Sequence, residues 1–242
     1  MPRLLIVHGT GAAPRTEESL RLEWLNSILD GLAFAGDFGT GAGDRFVDTT
    51  PFVDTVRLVD VDRHAPPCEA APDRDGATIA AWARTTRITL RERTDLASLG
   101  RSRYFCGIPE DELLRTARLH HAFDRGLADE AVARVVDAIT EESPDVVIGH
   151  AFGGVAAYEA VRAVPTVSTL ITVGAPPAGR TPPPDTHWVS LVARWDPLAA
   201  PAAGDVPIGA VPVECSPRLR APRSYLATPE FGKILSGATA RD

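Results

Sequence analysis

The stretch DVVIGHAFGGVAAYEAV, residues 145–161, decides the fold of this chain. Its first part is a short apolar run rich in β-branched residues, which is typical of a buried strand. Its last part is rich in alanine and favours a helix. Glycines lie between the two parts, at Gly149, Gly153 and Gly154, where the chain has to turn sharply. The stretch therefore predicts a strand, a tight turn and a helix.

The spacing Gly149-x-Ala151-x-Gly153 is that of a nucleophile elbow, a turn that holds its central residue in a strained conformation at the end of a strand. The flanking positions must be small because the strand and the helix crowd together there. The centre of a working elbow is Ser, Cys or Asp, whereas this chain has Ala151. A methyl group cannot attack a carbonyl, so the pattern predicts a hydrolytic frame without its nucleophile.

Several segments in order along the chain resemble the α/β-hydrolase superfamily, in particular its lipase- and esterase-like members. GHAFGG at 149–154 is similar to their Gly-His-Ser-x-Gly-Gly elbow, and VHGTG at 7–11 is similar to their His-Gly oxyanion-hole loop. Three later segments also resemble landmarks of this superfamily: VGAPP at 173–177, RWDPL at 194–198 and YLATPE at 225–230. The resemblance covers nearly the whole chain and implies an α/β-hydrolase fold with a degenerate catalytic triad.

The resemblance also implies where a ligand would be held. The backbone N–H groups of Thr10 and Phe152 would form the oxyanion hole, and neither depends on a side chain that this sequence lacks. Residues of the two loops around these donors are expected to contact the substrate: His8, Gly9, Gly11 and His150.

The triad implied by the family has a Ser, an acid and a His in that chain order. Asp196 occupies the acid position, although an Asp before a proline is also a common loop cap. No His occurs after Asp196, and the position of the base corresponds to Arg220, within the loop 218–223. Ala151, Asp196 and Arg220 are therefore predicted to be vestigial triad positions, of which two have lost the required side chain.

Outside the elbow, periodicity predicts alternating strands and helices in a mostly parallel six-stranded sheet. An amphipathic helix is expected over 16–35, with Thr16 as its N-cap, and a final helix over 228–236. The prolines of the last strand indicate that it lies at an edge. Besides the run before Gly149, the predicted strands lie at 4–7, 55–61, 169–173, 188–193 and 206–214.

The regular alternation stops between residues 62 and 142, where prolines precede helical stretches near 77–96 and 110–140. Members of the superfamily can carry a helical cap over the pocket at this point, so the resemblance implies a cap insertion. Its aromatic residues either line the ligand site or pack the cap on the sheet: Trp82, Tyr104, Phe105 and Phe123.

The composition narrows the function. At 242 residues one α/β domain is expected, over 1–242, and 44% hydrophobic and 24% charged residues are ordinary for a globular protein. The net charge of −7 argues against a nucleic-acid surface. The three cysteines fit neither a metal site nor a disulfide framework, and no apolar run is long enough for a signal peptide or a membrane span. We therefore expect a cytoplasmic location and no cofactor, metal, nucleic acid or membrane partner.

Together these features predict a protein that binds a small apolar or peptide-like molecule and promotes a non-hydrolytic step, namely isomerisation, epimerisation or cyclisation. Two alternatives stay open from the sequence. The chain is either a serine esterase or lipase inactivated by a Ser-to-Ala change at residue 151, or a pseudo-hydrolase that binds without turnover.

Overall fold

The computed structural model describes residues 3–9, 16–37, 56–60, 80, 110–111, 113–114, 116–118, 129–175, 181–193, 196, 199, 210–213 and 222–240. Its strands are β1 Leu4–Gly9, β2 Val56–Asp60, β3 Val146–Ala151, β4 Thr169–Val173, β5 His187–Ala193 and β6 Ala210–Val213. The helices with defined bounds are α1 Glu17–Asp37, α2 Asp129–Glu142, α3 Phe152–Ala163, α4 Arg223–Leu226 and α5 Pro229–Thr239.

The strands form one six-stranded sheet in the order β2-β1-β3-β4-β5-β6. Every neighbouring pair is parallel, so the predicted α/β architecture is confirmed and the sheet is more regular than expected. Strand β2 pairs with one side of β1, and β3 pairs with the other side. Strands β4, β5 and β6 then follow β3 in chain order to the opposite edge of the sheet. The predicted edge position of the last strand is also confirmed.

The two faces of the sheet carry different helices because successive residues of a strand point to opposite sides. Leu4 and Ile6 of β1 pack in a core with α1, α4 and α5, while Leu5 and Val7 pack in a second core with α2 and α3. The sheet is thus covered on both faces, as a parallel sheet requires.

Helices α1 and α5 each begin directly after an N-cap residue. Thr16 Oγ1 accepts the N–H of Ser19 at 3.2 Å, which confirms Thr16 as the N-cap of α1. Thr228 Oγ1 accepts the N–H of Phe231 at 3.3 Å, so α5 starts one residue after the predicted position. It also ends later than expected, at Thr239, because Gly237 lowers helix propensity only modestly and does not end the helix.

The last part of the predicted insertion covers the sheet. The buried side of α2, which includes Val135 and Ile139, belongs to the same core as Leu5 of β1. Leu113 and Ala117, which are helical and fully buried, belong to it as well. The cap was predicted over residues 62–142, and most of its part before residue 129 lies outside the part of the chain that the structure describes.

Helix α1 packs closely against α4 and α5 at two glycines. A Cβ at Gly232 would overlap the carbonyl oxygen of Gly31, and a Cβ at Gly31 would overlap that of Leu226. Neither obstacle is the flexible end of a side chain, so the backbones themselves would have to separate. Glycine is therefore needed at position 232 to pack α5 on α1, and at position 31 to pack the end of α4 on α1.

We expect Gly232→Ala to lower the free energy of unfolding by about 2 kcal/mol, since overpacking a close backbone contact costs about 1–3 kcal/mol. Gly237→Ala, in the same helix, is the matched control because a Cβ there would meet nothing within 4 Å. The control should be neutral or stabilising by up to about 1 kcal/mol. Urea unfolding of both variants measures the difference, and equal effects would contradict the close-contact explanation.

Candidate functional site

The strand order itself points to a site. Successive connections run in one direction from β1 to β2 and in the opposite direction from β3 onward, so the order reverses between β1 and β3. In open parallel sheets, ligands bind in the crevice outside the carboxyl ends of the strands at such a switch point. Here β1 ends at Gly9 and β3 ends at Ala151, and these two residues are paired in register. The candidate site therefore lies beside residue 151.

Ala151 occupies a strained backbone conformation at this edge, with φ 51° and ψ −122°. Positive φ in a residue with a Cβ costs about 1–3 kcal/mol and persists only where the surroundings impose it. The next residue, Phe152, already begins α3. The predicted strand, sharp turn and helix are confirmed, and the turn lies at the switch point.

Steric crowding imposes this turn. A Cβ at Gly153 would overlap the carbonyl oxygen of Val7 in the neighbouring strand. A Cβ at Gly149 would lie 2.5 Å from the Cα of Gly154 and 2.9 Å from the carbonyl oxygen of Gly153. These glycines are needed for the close approach of α3 to β1 and β3, and their own φ angles are not the reason.

The N-terminal end of α3 faces the same edge. Its N-cap, Ala151, offers no side-chain hydrogen bond, and the first turn of the helix contains no acidic residue. N–H groups of the first turn point toward the N-terminal end of a helix, where they and the helix dipole favour negative charge. Phe152, predicted as one oxyanion donor, is the first residue of this turn; that role stays a prediction.

Asp196 has a partner that sequence reasoning missed. The hydroxyl of Tyr225 donates a hydrogen bond of 2.6 Å to Asp196 Oδ2, and the N–H of Ala193, at the end of β5, donates to the same hydroxyl at 3.4 Å. Tyr225 is almost fully buried. It lies inside a segment that resembles a family landmark, but nothing in the sequence pairs it with Asp196. Arg220, predicted to pair with Asp196, lies outside the described residues.

Gly174 brings this pair close to residue 151. It follows β4 with φ 58°, and a Cβ there would lie 2.9 Å from both Asp196 Oδ2 and the Tyr225 ring. The last register pair of β3 and β4 is His150 with Val173, and Ala151 and Gly174 are the residues that follow this pair in the two neighbouring strands. Neighbouring strands lie about 4.8 Å apart, so Asp196 and Tyr225 stand over the strand end next to the turn.

Two imidazoles lie beneath this edge. His8 and His150 are register partners in β1 and β3, and their rings stack with centroids 5.9 Å apart. The indole N–H of Trp24 donates to His8 Nδ1 at 3.3 Å, so that nitrogen carries no proton in this arrangement. The ring of Tyr225 lies 6.2 Å from that of His150. Both imidazoles are buried on the face covered by α1, whereas Ala151 packs in the core on the opposite face.

His150 is held neutral. Its Nδ1 is buried and has no hydrogen-bond partner. Burial, and then the proximity of His8, hold the pKa of His150 well below the usual 6.5 of histidine. The imidazole therefore acts as a flat, uncharged packing element at this position, between Tyr225 and His8.

Other predicted site residues lie outside the described part of the chain: Thr10, Gly11, Trp82, Tyr104, Phe105, Phe123 and Arg220. Among the residues that the structure does describe, no group of three or more His, Cys, Asp or Glu side chains could hold a metal ion. Within the same ranges, none of the helices is both long and apolar enough to cross a membrane.

Comparison of the chain with protein-family models, with curated proteins and with solved structures gave no match.

We expect the stability of the protein to fall as the pH drops below 6.5, because the unfolded chain then binds a proton that buried His150 does not. Between about pH 7.5 and pH 5.5 this residue accounts for a loss of at most about 1.4 kcal/mol. Urea unfolding at both pH values measures the loss.

In His150→Phe the difference between the two pH values should shrink by that amount, since the ring stays but the titrating nitrogen is gone. His187→Gln, at an exposed position of β5, is the control and should keep the wild-type difference. An unchanged difference in His150→Phe would contradict the assignment.

Tyr225→Phe should destabilise the protein by about 1.5–3 kcal/mol, because a hydrogen bond to a charged group is lost. The matched control is Tyr158→Phe, which removes a 2.7 Å donation to the neutral carbonyl of Thr181 and should cost only about 0.5–1.5 kcal/mol. Denaturant unfolding of both variants gives the comparison. A smaller loss for Tyr225→Phe than for Tyr158→Phe would argue against a strong Tyr225–Asp196 bond.

Proposed function

We propose that the chain is an atypical α/β-hydrolase-type protein that binds a small, apolar or peptide-like molecule beside residue 151 and promotes a non-hydrolytic step such as isomerisation, epimerisation or cyclisation. The observation that carries the proposal is the turn at Ala151. It has the strained backbone and the crowding glycines of a nucleophile turn, but the side chain at its centre is only a methyl group.

The missing hydroxyl rules out covalent acyl transfer through residue 151. Covalent acyl transfer needs an oxygen or sulfur nucleophile with a base beside it. Residue 151 offers neither atom, and the histidines of the neighbouring strands, His8 and His150, are buried on the opposite face of the sheet. The hydrogen bond from Tyr225 to Asp196 supports a native loss of the triad, because it satisfies a carboxylate oxygen without an imidazole.

The groups that remain suit a reaction without a covalent intermediate. N–H donors at the start of α3 can stabilise negative charge that develops on a carbonyl oxygen of the ligand. Stabilisation of charge by these N–H groups does not require a nucleophile. A pocket that restricts a flexible ligand to one conformation also lowers the barrier to an intramolecular step. The proposed cap and the N–H of Thr10 would complete such a pocket.

A second candidate is an esterase or lipase whose serine has been replaced by alanine. The strain at Ala151 favours it, since an alanine gains nothing chemical from φ 51°, whereas a serine would present its hydroxyl there. The absence of a His after Asp196 argues against it, because a single replacement does not explain two losses.

The wild-type protein should not turn over short p-nitrophenyl esters above the uncatalysed rate, and a fluorophosphonate probe should not label it. Both follow from the missing nucleophile. The same protein should bind apolar acyl or peptide-like ligands, measured by calorimetry. Stoichiometric fluorophosphonate labelling of any residue would overturn the proposal.

Ala151→Ser separates the two candidates. Under the proposal the introduced hydroxyl stays a weak nucleophile, because no base takes its proton, and ester hydrolysis stays near background. Ala151→Gly, which changes the same position without adding an oxygen, is the control. Adding Arg220→His to Ala151→Ser should give at most a small gain. A fast esterase from Ala151→Ser alone would establish the inactivated hydrolase instead.

A further inference from the structure

The outward-facing side of α1 is apolar where a surface helix is usually polar. Leu22 and Phe34 of this helix are 50% and 44% exposed, more than any other large hydrophobic side chain within the described ranges. The exposed positions of α2, by contrast, include Arg134, Asp137 and Glu141. Single exposed hydrophobic residues are common on protein surfaces, so their arrangement decides whether they form a binding surface.

Leu22 belongs to a row of side chains along the outer face of α1. The row is spaced four, three and four residues apart and consists of Leu22, Asn26, Leu29 and Ala33. At 3.6 residues per turn these side chains lie within about 60° of one another, while buried Trp24 faces the core on the other side. Leu29 is half-buried and the other three are exposed. This is the spacing of the a and d positions through which one helix packs against another, and we call the row the α1 seam.

Acidic side chains flank the α1 seam on both sides. Glu23 and Asp30 directly follow Leu22 and Leu29, and Glu18 precedes Leu22 by about one turn. These are e and g positions, whose charges select the partner of a packed helix. The outer face of α1 is therefore an apolar stripe between negative charges.

Two of these acids have a basic neighbour, but the flanks keep their acidic character. Arg21 lies 3.9 Å from Glu18, and Arg223 of α4 lies 3.3 Å from Asp30. Both ion pairs are accessible to solvent, and such pairs are weak. A partner with its own cations can therefore replace or extend them.

The sign of the flanks decides which partner fits. A second copy of this chain would bring acidic flanks against each other, and like charges across an interface oppose association. Helices that lie on membrane surfaces are rich in Lys and Arg on the polar face, which is the opposite of α1. A helix with an apolar stripe between basic residues complements both the seam and its flanks.

We propose that the α1 seam is a docking surface for a basic amphipathic helix of another protein. The apolar stripe of that helix would contact Leu22 and Leu29, and its Lys or Arg residues would face the acidic flanks. Asn26, inside the seam, would pair with a polar side chain of the partner and fix the register, as a single Asn does in coiled coils. The seam points away from the sheet, so this inference does not depend on the proposed function.

The test uses a fluorescein-labelled peptide of three heptads, with leucine at a and d, lysine at e and g, and alanine elsewhere. The wild-type protein should bind it at least about tenfold more tightly than the same peptide with glutamate in place of lysine, because only the flanking charges differ. A peptide of the same composition in an order that breaks the heptad should also bind at least about tenfold more weakly. Fluorescence anisotropy at about 150 mM salt measures the three dissociation constants.

Leu22→Glu separates the seam from unspecific attraction between charges. The variant makes α1 more acidic, so attraction alone would strengthen binding of the lysine peptide, whereas loss of a seam contact should weaken it at least about tenfold. Ser236→Glu, at an exposed position of α5, adds the same charge away from the seam and should not weaken binding. Urea unfolding checks that both variants fold. Ala33→Glu, also at an exposed seam position, replaces Leu22→Glu if that variant does not fold.

Equal affinity for the lysine and glutamate peptides, or undiminished binding by the folded seam variant, would overturn the proposal. A wild-type dimer in sedimentation equilibrium that Leu22→Glu dissociates would assign the seam to a second copy of the chain instead. Binding to phosphatidylserine vesicles that Leu22→Glu abolishes would assign it to a membrane surface, and either result would overturn the proposed partner.

Discussion

The close approach of α3 to β1 and β3 is the constraint on which the rest of this structure depends. Gly153 lies against the carbonyl of Val7, and Gly149 lies against Gly154, with no room for a side chain at any of the three glycines. Because the helix starts so near the two strands, the connecting residue, Ala151, must adopt positive φ. The strained residue is thereby fixed at the switch point of the sheet.

A cluster of aromatic rings lies beneath the same edge. His8 and His150 stack across β1 and β3, and Trp24 from α1 and Tyr225 from α4 contact one imidazole or both. Burial keeps His150 neutral, so this imidazole brings no charge into the core. Tyr225 joins this cluster to Asp196, which means that packing on one face of the sheet controls the orientation of a carboxylate at its edge.

Much of the fold could be predicted because its signals are local. The run before Gly149 is apolar and β-branched, and Thr16 stands directly before an amphipathic run, so both elements follow from neighbouring residues. The final helix was predicted over 228–236, whereas α5 runs from Pro229 to Thr239, because a single exposed glycine at 237 does not end a helix. The ligand contacts expected of His8 and His150 stay predictions, as do the roles of Thr10 and Arg220 outside the described residues.

The sequence by itself determined the strand, turn and helix around residue 151 and the absence of a hydroxyl there, since each depends on a few consecutive residues. The tertiary structure alone decided the bond between Tyr225 and Asp196, which are 29 residues apart, and the stacking of His8 on His150. Both contacts exist only because parallel strands in one register bring distant segments together. No local pattern encodes that register, because pairing between strands is selected by the packing of the whole sheet.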